Sequence, residues 1–204
     1  MPDFSRELAL GGTVAGIDEA GRGSWAGPVF AAAVVLDFSK LSDELKYGLN
    51  DSKVVSPNRR GRLCSMLHAE AQIGVGRAEV IEIENINIMQ ASFIAMKRAL
   101  KLIPSPVDFA LVDGNQAPKL PCAVETLVKG DSLSLSIAAA SIVAKVHRDR
   151  EMSILAKDFP GYGWERNAGY GTREHQEALV QLGITKHHRK TFSPITKIID
   201  KNSE

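Results

Sequence analysis

Thr13-Val14-Ala15-Gly16-Ile17-Asp18-Glu19-Ala20-Gly21-Arg22-Gly23-Ser24-Trp25-Ala26-Gly27-Pro28-Val29-Phe30-Ala31-Ala32-Ala33-Val34-Val35-Leu36 is the stretch on which the reading of this chain turns. Thr13 to Asp18 and Pro28 to Leu36 are short apolar or β-branched runs, the length and composition of buried strands, and a glycine-rich turn joins them. The domain is therefore expected to open on this hairpin. Working outward, Ser56-Pro57 predicts a helix to about Ala69, with Ser as N-cap and Pro at the first helical position. Ala71 to Val80 predicts a strand. Asn87 to Leu102 carries Ile88, Phe93, Ile94, Met96 and Leu100 at helical spacing and must stop before Pro104. Phe109 to Asp113, stopped by Gly114, and Val124 to Val128, stopped by Gly130, predict two more buried strands. Ser132 to about Lys157 is the longest helical pattern, apolar on most sides in its first half. A short helix at Thr172 to Gln181 and a basic loop at Lys186 to Lys190 follow. Strands first, then helices and strands in alternation, predict one α/β domain: a mixed sheet flanked by helices, with a helical C-terminal region. Its core is expected over about residues 13–160, the C-terminal region over about 161–195, and a frayed polar tail over 196–204.

Composition agrees with a folded, unanchored chain. Lys and Arg number 25 against 24 Asp and Glu, and 44% of residues are hydrophobic, too much apolar character and too little net charge for a disordered chain. The longest uncharged stretches, Ser24 to Leu36 and Ser132 to Ala144, are 13 residues each. A membrane-spanning helix requires about 20. Asp3, Arg6 and Glu7 alternate in sign with no apolar segment behind them, so no secretory signal and a cytoplasmic location are expected. Cys64 and Cys122 neither build a disulfide framework nor have metal-site spacing, and read as two half-buried thiols.

Three constellations carry chemistry. Asp18 and Glu19 end an apolar strand, Asp113 ends another, and Asp131 precedes the buried helix. In a regular strand Asp18 and Glu19 face opposite sides, so one shared site requires the chain to bend there. Asp131 fits either a helix N-cap or a metal ligand. As a group, these oxygen donors suit a hard divalent ion, Mg²⁺ or Mn²⁺, rather than zinc. Next, Gly21-Arg22-Gly23 lets a polyanion or sugar approach the backbone and adds a guanidinium, but the glycine spacing is neither a dinucleotide fingerprint nor a P-loop. Finally, basic residues gather at Lys46, Lys53, Arg59, Arg60 and Arg62, and again at Lys186-His187-His188-Arg189-Lys190. Flanking a carboxylate site, two such patches read as phosphate tracks that the near-zero total averages away. Tyr162, Trp164 and Tyr170 lie among glycines, placed either to stack on a base or sugar or to form a minor core.

These residues resemble the ribonuclease HII, or type 2 ribonuclease H, family. The resemblance rests on Ile17-Asp18-Glu19-Ala20-Gly21-Arg22-Gly23 with Ala26-Gly27-Pro28-Val29; Asn50-Asp51-Ser52-Lys53; Val112-Asp113-Gly114-Asn115; Lys129-Gly130-Asp131 with Ser136 to Val146 and Arg148-Asp149; Gly169-Tyr170-Gly171-Thr172 with His175; and His188-Arg189 with Phe192. It implies a ribonuclease H-like fold and an endoribonuclease that cuts 5′ of a ribonucleotide in RNA–DNA hybrids or in duplex DNA, leaving 3′-hydroxyl and 5′-phosphate ends. Asp18, Glu19, Asp113 and Asp131 would be catalytic metal ligands, holding two ions about 4 Å apart. Gly21, Arg22 and Gly23 would recognise the ribose 2′-hydroxyl and its phosphate, Tyr170 would stack on the neighbouring sugar, and Lys53 would touch a phosphate. Lys145, Arg148 and Arg189 are expected as further phosphate contacts. Ser24-Trp25, Val54 and Asn167-Ala168 depart from the usual Pro-Leu, Lys and His-Lys of the family, which bears on contacts near Lys53 and Tyr170. Only about a dozen residues precede the first strand, unlike the type 3 enzymes with their extra N-terminal domain. No sliding-clamp motif is evident, and a monomer is the default. The rival readings are a non-catalytic hybrid-binding module, which metal-dependent cleavage would exclude, and a nucleotide-dependent oxidoreductase, which the glycine spacing disfavours.

Overall fold

The computed structural model describes residues 1–201. In chain order the elements are α1 (Ser5–Leu10), β1 (Val14–Ala20), β2 (Val29–Val35), α2 (Asp43–Gly48), α3 (Pro57–Glu70), β3 (Gln72–Ala78), α4 (Val80–Lys101), β4 (Phe109–Asp113) and β5 (Ala123–Leu127). A 3₁₀ turn (Gly130–Ser132), α5 (Leu135–Asp158), α6 (Trp164–Asn167), α7 (Arg173–Leu182) and α8 (Ser193–Lys201) complete the chain. One five-stranded sheet runs in the order β3-β2-β1-β4-β5. Its β1–β2 and β2–β3 ladders are antiparallel, and its β1–β4 and β4–β5 ladders are parallel. The expected mixed sheet with flanking helices is therefore present.

The period-2 alternation of the central strands sorts the helices. Ala32 and Val34 point to one face, under α5 with Ile142 and Val143 and under α3 with Leu63 and Leu67. Ala15, Ile17, Ala31 and Ala33 point to the other, under Ala91, Ala95 and Ala99 of α4. Each fully buried Leu or Ile in these layers contributes about 1.5–3 kcal/mol. Small residues set how near a helix can come: a Cβ on Gly16 would lie 2.1 Å from the Ser136 carbonyl carbon, so only glycine lets β1 receive the start of α5. That start is fixed from afar. Buried Glu7 of α1 accepts from Ser134 Oγ (2.6 Å), Ser136 Oγ (2.6 Å) and Ser136 N (2.9 Å), a negative charge at the positive end of the helix.

Several expectations are corrected. The domain opens on α1, not on the hairpin. The α4 region begins earlier than Asn87, from a capping box made by Glu79 and Glu82, and breaks at Asn87, whose φ is 66°. Asn87 Oδ1 then caps the second half by accepting from the Met89 and Gln90 amides. β5 is an edge strand with exposed side chains rather than a buried one. Ser56 stands at the cap position of α3, but its side chain makes no capping bond. Of the expected frayed tail, 196–201 is helical, anchored by buried Ile195, and residues 202–204 lie outside the described residues. Among the described residues, no helix is long and apolar enough to cross a membrane.

Candidate active site

The carboxylates meet because the sheet ends unevenly. β1 stays in register with β2 as far as Ala20↔Phe30, whereas its parallel pairing with β4 stops at Ile17↔Val112. Asp18 and Glu19 continue β1 past its last pair with β4, at the carboxyl ends of the two neighbouring parallel strands, where Asp113 ends β4. Asp18, Glu19 and Asp113 line one cleft with Gly21, Arg22, Gly23, Ser52, Lys53, Ser141, Lys145 and Tyr170. The sequence thus placed most of its site residues in one recess. Asp131 is also buried, but it lies inside the 3₁₀ turn and does not cap α5. The cap is Ser134, which accepts from the Ile137 amide. Asp113 Oδ1 accepts from Gly130 N at 2.7 Å and so ties this turn to β4.

Crowding governs the electrostatics. Burial pushes the Asp18 carboxyl well above its ordinary value, and Glu19, Asp113 and Asp131 push it further; a 2.6 Å bond from its neighbour's amide acts in the opposite direction. Burial also raises Glu19, against Arg22, which stands 3.3 Å away. Asp131 is raised by burial and then by Asp51 and Asp113. Burial works against the charge of Lys53, but Asp51, Asp18, Asp131 and Asp113 together hold its pKa above the usual value. The donor set is all oxygen, which fits a hard divalent cation. Among the described residues no three of these carboxylates bring ligand oxygens within 4.8 Å of one another, so the group is spread along the edge rather than folded into one closed shell.

Behind the glycine loop the picture inverts. A Cβ on Gly21, whose φ is +96°, would lie 1.8 Å from Arg148 Nε, so the loop rests directly on that guanidinium. Arg148 donates to the carbonyls of Pro28 and Ala26 (both 3.3 Å), and Arg189 to those of Gly27 and Arg22 (both 3.0 Å). Both side chains are 0% exposed. Arg148 and Arg189, expected as phosphate contacts, lie buried behind the loop, where two nitrogens of each donate to its carbonyls and Arg148 Nη1 and Arg189 Nη2 have no partner. Burial lowers both, Arg189 to about 9, where it is still charged at neutral pH. Within the two basic patches, Arg60 and His188 are buried as well, and Arg62 pairs with Glu44 at 2.6 Å. The exposed cations left are Lys53, Arg59, Lys186 and Lys190.

The aromatic residues divide the same way. Tyr162 and Trp164 form the minor core, while Tyr170 remains 40% exposed, with Lys145 Nζ 5.9 Å and Arg148 Cζ 5.7 Å from its ring centre. A chain of neutral rings supports it. Thr185 N–H donates to His188 Nδ1 (2.8 Å), which leaves His188 Nε2–H to donate to His175 Nε2 (3.1 Å) and His175 Nδ1–H to donate to the Tyr170 carbonyl (3.0 Å). Burial holds His175 low and His188 at about 3. Two of the unusual residues belong to this support: Asn167 bonds Tyr162 O (2.7 Å) and Gly169 N (2.8 Å), and the Trp25 ring covers Gly171. Sequence reasoning missed Asp51 as a member of the carboxylate group and Ser141, which bonds Ser52 Oγ at 2.8 Å. Asp51 stood in a quoted block, but nothing local to it shows that Asp131 lies opposite.

The family model for Ribonuclease HII matches residues 15–195. The chain belongs to the ribonuclease HII family. The ribonuclease HII of Rhodospirillum rubrum is 56% identical over 205 residues, with 100% of this chain and 94% of that protein covered. Among solved structures, the ribonuclease H2 of Pyrococcus horikoshii OT3 superposes with a TM-score of 0.76 at 27% identity, covering 95% of this chain and 100% of that one. Bst-RNase HIII in complex with Mn²⁺ gives a TM-score of 0.76 at 18% identity, covering 93% and 70% respectively, a likeness of fold. As a member of the ribonuclease HII family the chain is an endoribonuclease of the ribonuclease H class, a hydrolase.

Proposed function

We propose that this chain hydrolyses the phosphodiester on the 5′ side of a ribonucleotide, both in RNA–DNA hybrids and in duplex DNA with embedded ribonucleotides, leaving 3′-hydroxyl and 5′-phosphate ends. It would act in the cytoplasm and serve to remove misincorporated ribonucleotides. The observation that carries this reading is that a crowded carboxylate edge, an arginine-bearing glycine loop and an exposed tyrosine line one cleft. Asp18, Glu19, Asp113 and Asp131 would hold Mg²⁺ or Mn²⁺, with two ions as the expected number. When bound, such ions supply an activated water and stabilise the charge that develops on the phosphoryl and leaving oxygens.

The chain's own groups do the rest. The Gly21-Arg22-Gly23 backbone is narrow enough to enter a minor groove and address the 2′-hydroxyl, the one group that separates RNA from DNA at a single position. Arg22, paired with Glu19, would offer its remaining donors to the adjoining phosphate. Tyr170 offers a ring face to the neighbouring sugar, and Lys53 and Lys145 flank the cleft as phosphate contacts. The test is a cleavage map on a duplex carrying one ribonucleotide. Incision 5′ of that nucleotide is expected, and incision confined to runs of four or more ribonucleotides would overturn the reading.

A further inference from the structure

Away from the cleft, α3 and α5 bring together side chains of softer chemistry. Cys64 and His68 are one helical turn apart on α3 and share a face, and His147 comes from α5. Their ligand atoms all lie within 4.8 Å of one another, and among the described residues they are the one such group of three or more His, Cys, Asp or Glu. His68 Nε2 and His147 Nε2 stand 3.3 Å apart. Two nitrogens each about 2.0–2.1 Å from a tetrahedral zinc ion are themselves about 3.3–3.4 Å apart, so the pair already has the separation that a shared ion requires. Cys64 is buried, His147 half-buried and His68 exposed, and they line a recess with Gly61, Ser65 and Arg150. The sulfur lies at the floor and the imidazoles nearer the mouth, which leaves a path for entry.

We infer that Cys64, His68 and His147 form a zinc-class metal site that staples α3 to α5, with the fourth position open to water. Thiolate and imidazole donors select zinc over the Mg²⁺ and Mn²⁺ suited to the carboxylate edge, so the two sites are separated by ligand softness. An N–H···N bond between the two imidazoles accounts for their spacing but not for a thiol placed beside both. Burial, His68 and Arg150 lower His147, which keeps its lone pair available at neutral pH. Burial pushes the Cys64 thiol up, with Arg150 pulling it back, so metal loading must release the thiol proton to solvent as the sulfur–metal bond forms. Cysteine–cysteine spacing is silent about this site because its partners are histidines, one of them from another helix. A staple here also bears on the cleft: Arg60 of α3 bonds the Ser52 carbonyl beside Lys53 and faces Asp149 of α5 at 3.8 Å.

The test is a Co²⁺ titration of the full chain in saturating Mg²⁺, which keeps the carboxylate edge occupied, followed by displacement with Zn²⁺. One Co²⁺ per chain is expected, with the intense visible bands of tetrahedral coordination and a thiolate-to-cobalt charge-transfer band, all abolished by equimolar Zn²⁺. Cys64→Ser should lose the charge-transfer band. His68→Gln, a change at an exposed side chain, should weaken binding at least tenfold with an unchanged metal-free Tm. Weak six-coordinate bands without charge transfer, or equal binding by the parent and His68→Gln, would overturn the site.

Discussion

At the carboxyl ends of the two neighbouring parallel strands, carboxylates from β1, β4 and the turn before α5 gather around one cleft. Behind the glycine loop, two guanidiniums are buried side by side with no carboxylate bonded to either. Burial first, and neighbouring carboxylates after it, make Asp18, Glu19 and Asp131 bind protons more readily than free carboxyls. The basic group bonds part of its donors locally, to four main-chain carbonyls of the loop, while Arg148 Nη1 and Arg189 Nη2 are buried without a hydrogen-bond partner. One region gathers oxygen donors that suit a hard cation, and the other uses its own cations to hold the backbone of the glycine loop. Buried charge therefore has different surroundings in the two regions: carboxylates beside carboxylates in one, guanidiniums bonded to main-chain carbonyls in the other.

The largest effect should come from the carboxylate region. Asp18→Asn should lower cleavage of a single-ribonucleotide duplex by about 10³-fold or more while leaving duplex binding intact. It should also stabilise the metal-free protein by about 1–2 kcal/mol, because a neutral isostere removes a buried like charge. Cleavage at the parent rate in Mg²⁺ would refute the metal-ligand assignment. The arginine region should respond the other way round: Arg189→Met is expected to cost about 2–4 kcal/mol in urea unfolding, because it strips donors from Gly27 and Arg22, with Arg189→Lys failing to restore the fork of two bonds. If Arg189→Met kept full stability but lost phosphate-dependent binding, Arg189 would be a substrate contact after all.

Acid should separate the two regions next. His188 is neutral in the fold, and its pKa is depressed to about 3 from an unfolded value of about 6.5. Its contribution is complete above about pH 6.5 and is lost as pH falls toward about 3, by at most about 1.4 kcal/mol per pH unit. His175 adds to the loss in the same direction. Unfolding free energy measured from pH 7 to pH 5 should fall, and less so in His188→Gln; a flat profile would contradict the ring chain. The smallest effect should be at Tyr170: Tyr170→Leu is expected to weaken duplex binding by about 1–3 kcal/mol and Tyr170→Phe by much less, as read in binding titrations.

What the sequence disclosed follows the same division. A carboxylate that ends an apolar strand contradicts its surroundings, so Asp18, Glu19 and Asp113 were conspicuous, and three glycines around an arginine marked the loop. Arg148 and Arg189 were hidden because an arginine in a helix or a basic run reads as surface. Their carbonyl partners lie 120 or more positions away in sequence. Asp131 was readable as functional but not as non-capping, since Ser134 is an equally good cap three residues on. The strand pattern fixed the layers, whereas α1 has too short an apolar pattern to announce itself and owes its place to Glu7, whose partners are 127 and 129 positions later.

That separation bears on how the enzyme is made. The antiparallel half, β1 to β3, can pair as soon as about the first two fifths of the chain has emerged from the ribosome. The parallel half, the turn with Asp131 and the tyrosine that faces the cleft all come later, and Glu7 must wait for Ser134 and Ser136. A nascent chain stalled before residue 170 thus carries Asp18 and Glu19 without a finished cleft, and nuclease activity arises only near the end of synthesis, when the last contributors fold back onto the first.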